Sequence, residues 1–161
     1  MEQLVIPVIA GVGISNGIGF LAAMAMGAEA VLMGTAFFAT QECPAHPAIK
    51  ERLLQSTEKD TCLLLKSINN PIRCVRNKVA DDCLLLESQG ASFEEILNAV
   101  AGGKGKLAYD DGDPEISPIS CGQIVGLIDK IKTVREVIDD MVAEADDLLK
   151  RLNRLASSYQ T

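Results

Sequence analysis

The sequence predicts an α/β protein that opens on a parallel β-α-β unit and closes on amphipathic helices. Residues 4–10, LVIPVIA, form a continuous apolar run rich in β-branched side chains, which reads as a strand buried on both faces. Residues 17–27, GIGFLAAMAMG, are small and apolar almost all round, as a helix packed on a sheet is. Residues 30–33, AVLM, supply a second buried strand. Strand, helix and strand in this order make the two strands parallel, with a right-handed crossover.

The elements follow in order. GVGISNG (11–17) breaks the first run, Ser15 or Asn16 is placed to cap the helix over about 17–27, and Gly27 ends it. Gly34-Thr35 ends the second strand. After Thr40 the texture changes. Pro44 and Pro47 precede AIKERLLQSTEK, a short helix with Pro47 in its first turn. TCLLLKSI (61–68) and IRCVR (72–76) read as strands joined through the turn Asn69-Asn70-Pro71. Asn77 caps a helix over about 78–89 that ends at Gly90. Ser92 and Glu95 form a capping box that opens a helix stopping at Gly102-Gly103. GGKGK and YDDGDPEISP (109–118) are loop by composition. From Ser120 to Leu155 apolar residues recur at steps of three and four. A second capping box, Thr133 with Glu136, divides that stretch into two helices meeting near 132, and SSYQT at the end is expected to fray. The chain thus divides into 1–40, a small α/β lobe over 41–119, and helices over 120–161 that pack back on the first part.

Composition narrows the function. The 161 residues carry 48% apolar and 23% charged side chains, those of a globular chain with a real core. A net charge of −7 and pI near 4.7 argue against general binding to nucleic acid or anionic membranes. No apolar run reaches the ~18 residues of a membrane span, and the first residues lack the basic stretch of a signal peptide. Cysteines stand at 43, 62, 74, 83 and 121 with no Cys-x-x-Cys, which reads as reduced cytoplasmic thiols rather than a disulfide framework. Cys43 and His46 form a lone C-x-x-H, short of the four ligands a zinc site needs, and no metal is expected.

The chemistry concentrates in VIAGVGISNGIG (8–19). Glycines follow the first strand directly, with a helix opening behind them. Missing Cβ atoms let the backbone approach an anion, and a helix N-terminus points N–H groups at it. The spacing G-x-G-x-x-x-G is one residue longer than the dinucleotide fingerprint. The next strand ends in Gly34-Thr35, not in the acid that would bind a ribose, so a nicotinamide site is disfavoured. Spacing alone leaves two readings open: an anion cradle, or a tight turn that needs glycine for its geometry only. A second strand ending in glycine beside the first matches the phosphate site between the last two strands of many (β/α)8 barrels.

The segment IPVIAGVGISNGIGFLAAMAMGAEAVLMGTAFFATQECPAHPAIKE resembles the seventh and eighth βα segments of the flavin-dependent nitronate monooxygenases, formerly 2-nitropropane dioxygenases, to which the flavin-type enoyl-ACP reductases are related. PIRCVRNK, SCGQIVGLI (120–128) and EVIDDMVAEADDLL extend the resemblance over almost the whole chain. It implies the C-terminal part of a (β/α)8 TIM barrel, contributing the last two strands, plus the small lobe and the closing helices. It implies FMN, its phosphate held by main-chain N–H groups at Gly11, Gly13, Gly34 and Thr35, with Ala10 lining the turn and Cys121, Gly122 and Gln123 bordering the flavin. Two positions depart from the family pattern: Val12 replaces a glycine, and Ala36 replaces an arginine, which removes a charge near the site. The family's catalytic histidine lies on an earlier strand. His46 matches a different position, in the linker to the lobe, so no catalytic residue is assigned here. The complete relatives oxidise alkyl nitronates with O₂. The expected partners are therefore a nitronate substrate and either an N-terminal partner chain or a second copy covering the open sheet edge. The alternatives are the enoyl-ACP reductase branch and a non-catalytic module that binds a phosphorylated ligand.

Overall fold

A computed structural model describes residues 6–11, 13–100 and 103–159. Two short strands, β1 (Ile9–Gly11) and β2 (Ala30–Leu32), pair in parallel, with Ile9 opposite Ala30 and Gly11 opposite Leu32. The crossover between them is α1 (Gly17–Ala25). Asn16 starts it: its extended backbone and side-chain oxygen take the Gly19 N–H at 2.9 Å. The helix stops short of Gly27, whose φ of +100° suits glycine. The β-α-β unit is as expected, but its strands are not buried on both faces. Paired residues share a face, and on that face Ile9 and Leu32 are 64% and 62% exposed. No described element covers it.

Next come α2 (Thr35–Phe38), α3 (Pro47–Leu54) and a 3₁₀ turn over Glu58–Asp60. Pro47 opens α3, and His46 caps it by accepting the Ala48 N–H on Nδ1 at 3.2 Å. A second sheet orders β3 (Thr61–Leu64), β4 (Ile72–Val75) and β5 (Ile119–Ser120), all antiparallel. The expected strand 61–68 ends at Leu64 because Leu65 turns left-handed, at φ +62°. Helices α4 (Lys78–Ser88) and α5 (Phe93–Val100) follow with their expected caps, Asn77 and the Ser92–Glu95 box. Asn77 is buried and fully used. Its Oδ1 accepts the Ala80 N–H, and its Nδ2 donates to the carbonyls of Pro114 and Ser117 at 2.6 and 2.8 Å.

Two expectations are corrected. Part of the expected loop is a helix, α6 (Lys104–Asp111), ended by Gly112 in the left-handed region. Its Ala108 is buried and its Tyr109 ring meets Phe38 edge-on at 5.6 Å, so tertiary contacts stabilise a segment with poor intrinsic preference. The stretch after Ser120 is not a pair of helices. Ser120 ends β5, a 3₁₀ turn covers Gln123–Leu127, and a single helix α7 runs from Val134 to Ser158, past the point where fraying was expected. The Thr133–Glu136 capping box opens it as expected.

Two apolar clusters hold these pieces. One joins Ala39, Ile49, Leu53, Val75, Ile119 and Val125. The other packs Leu64, Leu65 and Cys74 of the second sheet under Ala80, Cys83 and Ile96 of α4 and α5. Among the described residues no helix is long and apolar enough to cross a membrane.

Candidate functional site

The turn after β2, α2, α6 and the second sheet border a wide-open concavity of about 530 Å³. It is lined by Gly34, Thr35, Phe38, Ile72, Arg73, Tyr109, Ser120 and Cys121. Three of the residues singled out by sequence, Gly34, Thr35 and Cys121, therefore meet in one place. Gly122 belongs to the same junction, because its N–H donates to Thr35 Oγ1 at 2.8 Å. That bond ties the loop after β5 to the strand end, eighty-seven residues away in sequence. Gln123 is exposed and opens the 3₁₀ turn without lining the pocket.

Ala10 and Gly11 lie on β1, one strand away from the pocket walls. Gly13 follows β1 at φ +81°, with open space where a Cβ would stand, and Gly34 has the same open space. These two glycines leave the backbone bare to a ligand, as an anion cradle requires. Val12 lies outside the described residues. Gly17, the last glycine of the spacing, serves packing instead. A Cβ there would run into the Met141 carbonyl oxygen and the Ala145 nitrogen of α7. Its N–H donates to Glu144 Oε2 at 2.7 Å. The α1 N-terminus is thus occupied by the protein's own carboxylate and by Asn16, and an anion would be held by the strand-end turns rather than by that helix.

Arg73, Tyr109, Phe38, Ile72 and Ser120 were not singled out by sequence. PIRCVRNK carried a signal for Arg73: in a strand over 72–76, alternation puts Arg73 and Cys74 on opposite faces. Arg73 is half-buried and donates to Thr61 Oγ1 at 2.9 Å rather than to a carboxylate. It is the cation of the pocket lining. Burial pushes the Cys121 thiol up to about 11, with Arg73 pulling the other way, so Cys121 is a neutral thiol at physiological pH. Burial raises Tyr109 as well. Among the described residues the lining holds no imidazole or carboxylate to act as a base. His46 is committed to capping α3 and packs against Gly112.

Ala36 lines a different cavity, of about 110 Å³, set between the turn before α1, α2, residues 127–132 and α7, together with Ser15, Asp140 and Glu144. Among the described residues no group of three His, Cys, Asp or Glu is placed to hold a metal.

The sequence profile of the family "Nitronate monooxygenase" matches residues 1–144. A "Probable nitronate monooxygenase" of Staphylococcus saprophyticus is 28% identical over 151 residues, which cover 94% of this chain and 42% of that protein. Among solved structures, FabK from Thermotoga maritima superposes with a TM-score of 0.84 at 36% identity, covering 94% of this chain and 48% of that one. The nitroalkane oxidase from Streptomyces ansochromogenes superposes at 0.72 with 25% identity, covering 92% and 42%. The chain spans about two fifths of the length of the curated relatives it matches. With the profile matching most of its residues and two glycine-bearing strand ends side by side, the chain belongs to the nitronate monooxygenase family.

Proposed function

We propose that this chain supplies the phosphate end of an FMN site in an oxidoreductase that acts on alkyl nitronates with O₂. The observation that carries this reading is the bare backbone at Gly34, in the pocket that Thr35, Arg73 and Cys121 also line, with a second bare glycine, Gly13, following the neighbouring strand β1. Main-chain N–H groups at Gly13, Gly34 and Thr35 would hold the phosphate, and the Arg73 guanidinium supplies a nearby positive charge. A bound flavin would supply the electron transfer. This chain's own part is to bind and orient: Tyr109, Phe38 and Ile72 give the pocket an apolar wall, and the Gly122–Thr35 bond fixes its rim. The proton-abstracting histidine and the remaining barrel strands would come from residues beyond these 161 or from a partner chain. By itself the chain binds flavin without turnover.

The test is flavin fluorescence quenching by the purified chain, with Gly13→Asp as control. Aspartate tolerates a positive φ better than most side chains, so it keeps the turn while setting a negative charge in the cradle. Micromolar binding that the variant loses is the expected result. No quenching at millimolar FMN overturns the reading for this chain. A second reading, the flavin-type enoyl-ACP reductase branch, is kept because the chain superposes better on FabK than on the nitroalkane oxidase. Reduction of a crotonyl thioester by NAD(P)H in a completed enzyme would favour it.

A further inference from the structure

Cys62 and Cys74 stand directly opposite one another on β3 and β4, with their Sγ atoms 3.8 Å apart. Directly opposed residues of antiparallel strands have Cα separations of ~4.5 or ~5.5 Å. Both values fall inside the ~4.4–6.8 Å that a disulfide spans. The register of the pair and its 3.8 Å sulfur separation are therefore those of two thiols that a disulfide can join across paired strands. The pair is also asymmetric. Cys62 is half-buried and Cys74 is fully buried. Burial, and then the neighbouring Cys62 thiol, push the Cys74 thiol far above its ordinary range. A dissolved oxidant accordingly meets Cys62 first. Cys43, Cys83 and Cys121 lie outside these two strands.

We propose that Cys62 and Cys74 form an oxidisable dithiol, a modification site at which a hydroperoxide converts two thiols into an intrachain disulfide across the β3–β4 hairpin. The Cys62 thiolate attacks the peroxide: an S–O bond forms, the O–O bond breaks, and the alcohol or water leaves. Cys62 is now a sulfenic acid. The Cys74 sulfur then attacks the Cys62 sulfur. The S–S bond forms, the S–O bond breaks, and the hydroxyl departs as water with the Cys74 proton. In sum, two thiols and one hydroperoxide give one disulfide, one alcohol and one water, the dithiol losing the two electrons that the peroxide gains. The bridge fastens the hairpin that presents Ile72 and Arg73 to the pocket. This inference does not depend on flavin binding.

The test exposes the full chain to a small excess of hydrogen peroxide, alkylates the remaining thiols in denaturant, and counts them by mass. Two of the five thiols are expected to disappear and to return with dithiothreitol. A non-reducing peptide map is expected to link the Cys62 and Cys74 peptides. Under the same dose Cys62→Ser is expected to keep every thiol it has. Five free thiols after treatment, a link through Cys43, Cys83 or Cys121, or Cys62 carried on to sulfinic acid unbridged would each overturn the proposal. If the variant fails to fold, the map on the unaltered chain still decides.

Discussion

Leu65 is buried at φ +62°, where a branched side chain is strained, and a single carboxylate holds the turn around it. Glu87 accepts the N–H groups of Leu65 and Ser67 at 3.0 and 2.9 Å and the Ser67 hydroxyl at 2.7 Å. Partial burial acts to raise the Glu87 pKa, but these hydrogen bonds outweigh it and hold the carboxyl below its ordinary 4.5. A lowered folded-state pKa contributes stability that is complete above the unfolded value and is lost as pH falls through the folded one. Thermal stability should therefore be level down to about pH 5 and fall below it. Hydrogen bonds likewise lower Asp60, Glu95 and Glu136, so Glu87→Gln should flatten that fall in part. At pH 7 the variant should lose about 1 kcal/mol, or roughly 2–4 °C. Melting curves by circular dichroism from pH 7 to 3 check this; an acid limb identical in the variant would remove Glu87 from the account. Local caps were legible in the sequence, singly at Asn77 and Thr133 and as a choice between Ser15 and Asn16 before α1. Glu87 was not, because its partners lie twenty and twenty-two residues away.

Helix α7 docks on α1 through a gap that only glycine leaves. At Gly17 a side chain would meet α7 backbone, which cannot give way as a flexible side chain can. Gly17→Ala should cost about 1–3 kcal/mol by overpacking and should break the Gly17–Glu144 bond. The urea midpoint should drop, and α7 should become the first segment cut by protease. An unchanged midpoint with α7 still protected would mean that the two helices do not cross this closely. The α6 segment shows the opposite relation between sequence and element. Its lysines, glycine and aspartates give no apolar stripe, and it is helical because Ala108 is buried and Tyr109 packs against the core that Phe38 borders. A pattern method has nothing to read there, since the stabilising partners come from elsewhere in the chain.

A parallel sheet of two short strands lacks the area to stand alone in water. Here it leaves Ile9 and Leu32 on one bare face. The molecule as a whole should therefore recruit a cover for that face, either further strands or a second copy. Sedimentation velocity on the isolated chain should show association at tens of micromolar that Leu32→Lys reverses. A monomer at every concentration, unaltered by the substitution, would count against an unmet surface. By itself the sequence determined the β-α-β unit, the helix caps and the family, because each is written in adjacent residues: apolar runs, capping boxes and glycine turns. Only the tertiary structure decided that Gly17 packs α7 while Gly13 and Gly34 stay open. It alone set Arg73 and Tyr109 beside the Gly34–Thr35 strand end and brought Cys62 against Cys74. Those outcomes depend on which distant segments meet, and a distance between segments is fixed by packing rather than by spacing along the chain.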